Sequence, residues 1–195
     1  MNIITDALPD YVEIGDKKFP VLTDFRIWME FDRIMHSRNI ETKDKIMMIM
    51  LLVFDRERFE ILPDDCFLTM ESLAAFYACG KNSDKRFGKN GKRERAISFS
   101  KDSGYIYSAF LTQYGIDLVS IPYMHWYLFC ALLDGLEESR RIVKIIKWRV
   151  CDPDGVQDKE RKKFLKKMKE LYALPDSEAT EKREEEVAEI LSQLL

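Results

Sequence analysis

The chain is poor in the residues on which most metal and redox chemistry depends. It has two histidines, His36 and His125, and four cysteines, Cys66, Cys79, Cys130 and Cys151, with no C-x-x-C spacing among them. Closed zinc sites show paired ligands a few residues apart, and no such pairs occur, so no metal site is expected. Cys66 and Cys79 fall near opposite ends of one helical stretch, which at 1.5 Å per residue is roughly 20 Å, beyond disulfide reach. Reduced thiols in a cytoplasmic setting are expected.

Other absences narrow the function. The longest apolar runs, "IMMIMLLVF" and "YMHWYLFCALL", fall short of the roughly 20 residues of a membrane span. The start, "MNIITDALPDYVEI", lacks the basic region and apolar core of a signal peptide. Lys+Arg 31 against Asp+Glu 34 leaves a net charge of -3, without the basic excess of a protein that wraps nucleic acid. The segment "GKNSDKRFGKNGKRER" misses the glycine spacing and the Ser/Thr of a phosphate loop, and neither G-x-S-x-G nor a Cys–His motif occurs. A non-enzymatic protein without cofactors is expected.

What is present is a helical text. With 46% hydrophobic and 12% aromatic residues among 195, one core can be filled. "YVEIGDKKFPVL" alternates and turns at Gly15-Asp16, predicting a hairpin over residues 11–21 with Pro20 on an edge strand. Thr23 or Asp24 can cap a helix whose Ile27, Trp28, Phe31, Ile34 and Met35 share a face, with Glu30, Asp32 and Arg33 outward, ending near His36. "TKDKIMMIMLLVF" becomes apolar on all sides and reads as a helix entering the interior. "PDDCFLTMESLAAFYACG" predicts another, stopping at Gly80.

The segment 81–95, "KNSDKRFGKNGKRER", reads as a solvated basic loop. Ser100 or Asp102 then caps "SGYIYSAFLTQYG", with Ile106, Ala109, Phe110 and Tyr114 on one face and Gly115 as the stop. The stretch "YGIDLVSIPYMHWYLFCALLDGL" predicts a helix from about Ile121, with Ser120 as cap, Pro122 in the first turn and Gly135 past the end. His125 there has no carboxylate or nucleophile within a helical turn, so it reads as a packed histidine whose ring nitrogens meet backbone or water.

"ESRRIVKIIKWRVCD" is a further helix, broken by "DPDG". "DKERKKFLKKMKELYALPD" places Phe164, Leu165, Met168, Leu171 and Tyr172 on one side and lysines on the other. The tail "SEATEKREEEVAEILSQLL" carries a narrow stripe, Val187, Ile190, Leu191 and Leu194, behind an acidic run. The expected organisation is mainly α: a helical domain over 1–152 with its hairpin, and a charged helical arm over 153–195.

Four stretches, "LPDYVEIGDKKFPVLTDFRIWMEF", "YIYSAFLTQYGIDL", "IPYMHWYLFCALLDGL" and "ERKKFLKKMKELYALPD", give the chain its resemblance to the bacteriophage gene-product-fifteen family, from the tail gene clusters of long-tailed phages and prophages. In order they cover most of Leu8 to Asp176; the basic segment 81–95 and the tail from Ser177 lie outside the likeness. The resemblance implies a tail assembly chaperone in the host cytoplasm. Its partner would be the tape measure protein, a long, helical, poorly soluble chain, with tail tube subunits and a second copy as further partners.

Shielding a client helix needs adaptable apolar surface, which methionine and aromatic side chains supply. The candidates are Met47, Met48, Met50, Tyr123, Met124 and Tyr127, with Val187, Ile190, Leu191 and Leu194 as a second docking stripe. Two alternatives compete: a structural tail component retained in the virion, and a nucleic-acid binder using the basic loop, with Phe87 as a lone stacking residue.

Overall fold

A computed structural model of the chain describes residues 2–58, 62–80 and 95–174. Within them lie two strands, β1 (Tyr11–Ile14) and β2 (Lys17–Pro20), and seven α-helices: α1 (Phe25–Met35), α2 (Thr42–Val53), α3 (Cys66–Tyr77), α4 (Ser103–Tyr114), α5 (Trp126–Asp134), α6 (Arg141–Val150) and α7 (Lys159–Leu171). The fold is mainly helical with an N-terminal antiparallel hairpin, as the sequence predicts. Contacts divide the chain into two compact units: Met1–Lys85 with Phe110–Gly135, and Arg86–Ala109 with Leu136–Leu195.

The first unit begins with the hairpin. Val12 faces Phe19 across the ladder, both buried, and Gly15 makes the turn at φ 59°, a conformation that costs a residue without Cβ little. The outgoing strand then reaches α2: Val21 bridges Phe54, and the Leu22 amide donates to the Val53 carbonyl at 2.8 Å.

Asp24 caps α1, its carboxylate accepting from the Arg26 amide at 2.9 Å. The inward face of α1 carries Phe25, Trp28, Phe31 and Ile34. Asp32 lies on that face too, contrary to its expected outward position: it is buried and accepts from the Tyr77 hydroxyl at 2.8 Å. Its spacing from Phe25 and Trp28 puts it on the core stripe, and a hydroxyl partner satisfies a carboxylate there.

Aromatic rings run through this unit in unbroken contact. Phe25 stacks on Phe129 at 4.9 Å, Phe129 on Phe110 at 5.1 Å, and Tyr77 on Trp126 at 5.2 Å, while Trp28 stacks on Phe76 at 4.5 Å. The buried indoles keep polar partners: Trp28 donates to the Leu22 carbonyl and Trp126 to the Tyr77 carbonyl, each at 2.9 Å. Ring stacking fixes geometry beyond the area it buries.

The second unit is organised around one cation. Arg149, buried near the end of α6, forks onto Asp102 with bonds of 2.6 and 2.9 Å. Its remaining donors reach the carbonyls of Ala96 at 3.1 Å and Tyr172 at 2.7 Å. Asp102, immediately before α4, also accepts from the Ser98 amide at 2.9 Å. The bidentate geometry matches carboxylate to guanidinium, and the carbonyl bonds use donors that burial would otherwise orphan.

The buried apolar side chains of this unit include Phe99, Ile106, Ile142, Ile145 and Leu174. Trp148 of α6 stacks on Tyr172 beyond α7 at 5.3 Å, and the Lys169 ammonium donates to the Cys151 carbonyl at 3.1 Å. No residue of α7 is fully buried, so α7 leans on its neighbours by a narrow edge.

Arg149→Leu leaves Asp102 buried without its counter-ion. Urea unfolding of this variant is expected to show a loss of about 3–5 kcal/mol; a loss below about 1 kcal/mol, the value of an exposed pair, would contradict the role given to Arg149.

Candidate interaction surface

The segment with the lone histidine folds differently from its sequence expectation. Residues 118–120 form a turn, and the helix begins at Trp126, not near Ile121. Asp117 organises the turn, accepting from the Val119 amide and the Ser120 hydroxyl, both at 2.9 Å. Pro122 disfavours the α conformation at Ile121, so the chain runs on irregularly to His125.

His125 is the cap of α5. Its Nδ1 accepts from the Tyr127 amide at 3.0 Å, which requires that Nδ1 carry no proton. Nε2 therefore carries the ring's proton and donates to the Pro9 carbonyl at 3.0 Å. Both ring nitrogens meet backbone, as the sequence reading anticipated.

His125 also faces Asp24, the cap of α1, in an isolated antiparallel bridge. The Phe25 amide donates to the Met124 carbonyl at 2.9 Å, and the Trp126 amide to the Thr23 carbonyl at 2.8 Å. Each helix thus satisfies a first-turn amide that its own backbone leaves open. Arg26 fastens the approach, donating to the carbonyls of Leu118 at 3.0 Å and Ile121 at 2.6 Å.

This arrangement engages both ring nitrogens of His125 with backbone. Burial lowers the His125 pKa below its ordinary 6.5, against smaller opposing effects of the Pro9 bond and the Asp10 carboxylate. Burial, with smaller contributions from the thiols of Cys79 and Cys130, pushes the Tyr127 phenol up to about 12, so it stays neutral. Among the described residues no group of three or more potential metal ligands converges, and no helix is long and apolar enough to cross a membrane.

The candidate contact residues divide by burial. Met50, Met124 and Tyr127 are buried and contribute to the core. Met47, Met48 and Tyr123 are 54, 38 and 53% exposed. Val187, Ile190, Leu191 and Leu194 lie outside the described residues, as do all of the basic segment 81–95 except Arg95.

Helix α2 does not plunge into the interior. It buries Ile49, Met50 and Val53 and turns Asp44, Met47, Met48 and Leu51 outward, a spacing of three and four that defines one face. Leu51, at 45% exposure, shares this outward face and was not among the residues the sequence singled out. An all-round apolar sequence gave no contrast by which to find the outer face.

Tyr123 is tied to the far end of α2 through one short segment. Val21 bridges Phe54, Leu22 bonds Val53, and the Thr23 hydroxyl meets the Tyr123 hydroxyl at 2.7 Å. Leu22, between them, is itself exposed. A cavity of about 260 Å³ lies elsewhere in this unit, lined by residues including Ile14, Phe19, Leu62 and Leu68. That is below the roughly 300–1,000 Å³ of small-molecule pockets, and the lining also includes Lys17, Asp64 and Asp65.

The helical scaffold carries an N-terminal hairpin and an outward apolar stripe on α2. The bacteriophage Gp15 protein family model matches residues 4–174, and the chain belongs to this family. The match runs through the basic segment and ends before the acidic tail. Comparison with curated proteins and with solved structures gave no significant match.

The His125 cap makes stability depend on pH. Because the folded pKa lies below the ordinary 6.5, the neutral ring's contribution is complete above about 6.5 and is lost as pH falls toward the folded value. Asn also caps helices well and does not titrate. Thermal melts from pH 7.5 to 5 should show wild type losing stability relative to His125→Asn below pH 6.5; parallel curves would contradict the assignment.

Proposed function

We propose that this phage protein is a non-enzymatic tail assembly chaperone that binds the tape measure protein and keeps it soluble in the host cytoplasm until tail tube subunits assemble around it. The observation that carries this reading is the outward face of α2. Met47, Met48 and Leu51 form an apolar stripe on a helix whose opposite side is anchored in the core. A contiguous group of exposed apolar side chains is a candidate interaction site.

The chemistry of the stripe suits a helical client. Two adjacent methionines adapt to varied apolar side chains, as a client with many similar but unequal helical turns requires. At about 25 cal/mol per Å² of apolar area, covering the stripe and its surroundings yields a few kcal/mol before ordering costs. A contact of that strength holds a client reversibly, and reversibility is what release to tube subunits demands.

Co-expression with the tape measure protein tests the reading. The client should stay soluble and co-purify with wild type, while Met47→Ser/Met48→Ser/Leu51→Ser should lower its recovery several-fold with the variant's own melting temperature nearly unchanged, since exposed substitutions cost within about 0.5 kcal/mol each. A client that stays insoluble, or is soluble without association, would overturn the proposal. Stoichiometric presence in purified virions would favour a structural tail component instead.

A further inference from the structure

Helix α7 presents a second uncovered face of different character. Lys162 and Lys166 both pair with Asp154 at 3.1 Å, and Lys169 is held by the Cys151 carbonyl. The opposite side carries Lys163, Phe164, Lys167 and Leu171, all exposed, together with the exposed acids Glu160 and Glu170; Phe164 is 50% and Leu171 64% exposed, and the Phe164 ring keeps an edge contact with Trp148 at 6.2 Å. Lys163 and Lys167 form no ion pair among the described residues. The spacing of three and four makes Lys163, Phe164, Lys167 and Leu171 one stripe, apolar at its centre and cationic along its edge.

With seven basic residues against two acidic ones along α7, two such helices meet with like net charge, which disfavours a second copy as the partner. The face fits an acidic partner with an apolar stripe, and the sequence of this chain supplies one. The described residues end at Leu174, just past α7; the sequence then continues through Pro175 to Glu181, Glu184, Glu185, Glu186 and Glu189, interleaved with Val187, Ile190 and Leu191. In sequence, Phe164 precedes Pro175 by about as many residues as Val187 follows it.

We propose that the outer face of α7 is an intramolecular docking site for the acidic, apolar-striped sequence 181–194 of the same chain. Opposite charges set the direction of approach, and the contact of Phe164 and Leu171 with apolar residues supplies the adhesion, since exposed ion pairs alone contribute little. Tethering favours this segment over any free competitor, because the link after Leu174 is short. The site is distinct from the α2 stripe, and its outcome is independent of which client the protein serves.

The test uses the full chain. A zero-length carbodiimide joins lysine amines to carboxylates in contact, and mixing isotope-labelled with unlabelled protein separates bonds within a chain from bonds between chains. Lys163 and Lys167 should link to the Glu184–Glu186 cluster within single chains. Phe164→Ser/Leu171→Ser should reduce that yield, and speed tryptic cleavage at Lys182 and Arg183, by about tenfold, the equivalent of removing two half-exposed apolar contacts. Circular dichroism checks that this variant still folds. Lys163→Ser/Lys167→Ser, which keeps the apolar centre, should speed the same cleavage at low salt and much less at high salt. Links found only between chains, no links from these lysines, or equal cleavage rates in wild type and both variants would overturn the proposal.

Discussion

The first unit depends on one constraint: two helices must start side by side. Asp24 and His125 are opposite members of a single bridge, and each is the cap of its own helix. Exchange of backbone bonds across the bridge satisfies amides that an isolated helix would leave to water. It also brings the starts of α1 and α5 together, and there Phe25 of one stacks on Phe129 of the other at 4.9 Å. The hairpin, the Asp117 turn and the Pro9 carbonyl all converge on this bridge and have little freedom once it forms.

The second unit solves the same problem with charge. Four chain segments, at Ala96, Asp102, Arg149 and Tyr172, meet at one guanidinium, which neutralises the only carboxylate among them. A planar fork is suited to this, because its donors point in fixed directions and a lysine could serve fewer of them. α7 contributes little buried area, so the Tyr172 carbonyl bond and the Trp148 stack hold its end in place. That light attachment also explains why an apolar and cationic face of α7 remains uncovered.

Much of the architecture was legible because it is written locally. Gly15-Asp16 and the Gly80 and Gly115 stops are short-range signals, and each appears where expected. What was illegible depends on residues far away in sequence. Ser120 and Pro122 imitate a helix start, while the true cap is a histidine whose orientation is fixed by Pro9 and whose backbone is fixed by Asp24. Asp32 reads as a solvent residue until Tyr77 is known to reach it. For the contact surface the difficulty was of another kind. α2 is apolar on every side, so periodicity alone could not separate Met50, which is core, from Met47 and Leu51, which are not.

The bridge between Asp24 and His125 has a consequence for synthesis. The first helix emerges from the ribosome early, yet the residue that completes its start is about a hundred positions behind. At roughly 5–20 residues per second, α1 waits on the order of 5–20 s for its partner, and during that interval Trp28 and Phe31 have no finished core to join. The nascent chain is itself, for those seconds, a helical apolar client in need of shelter.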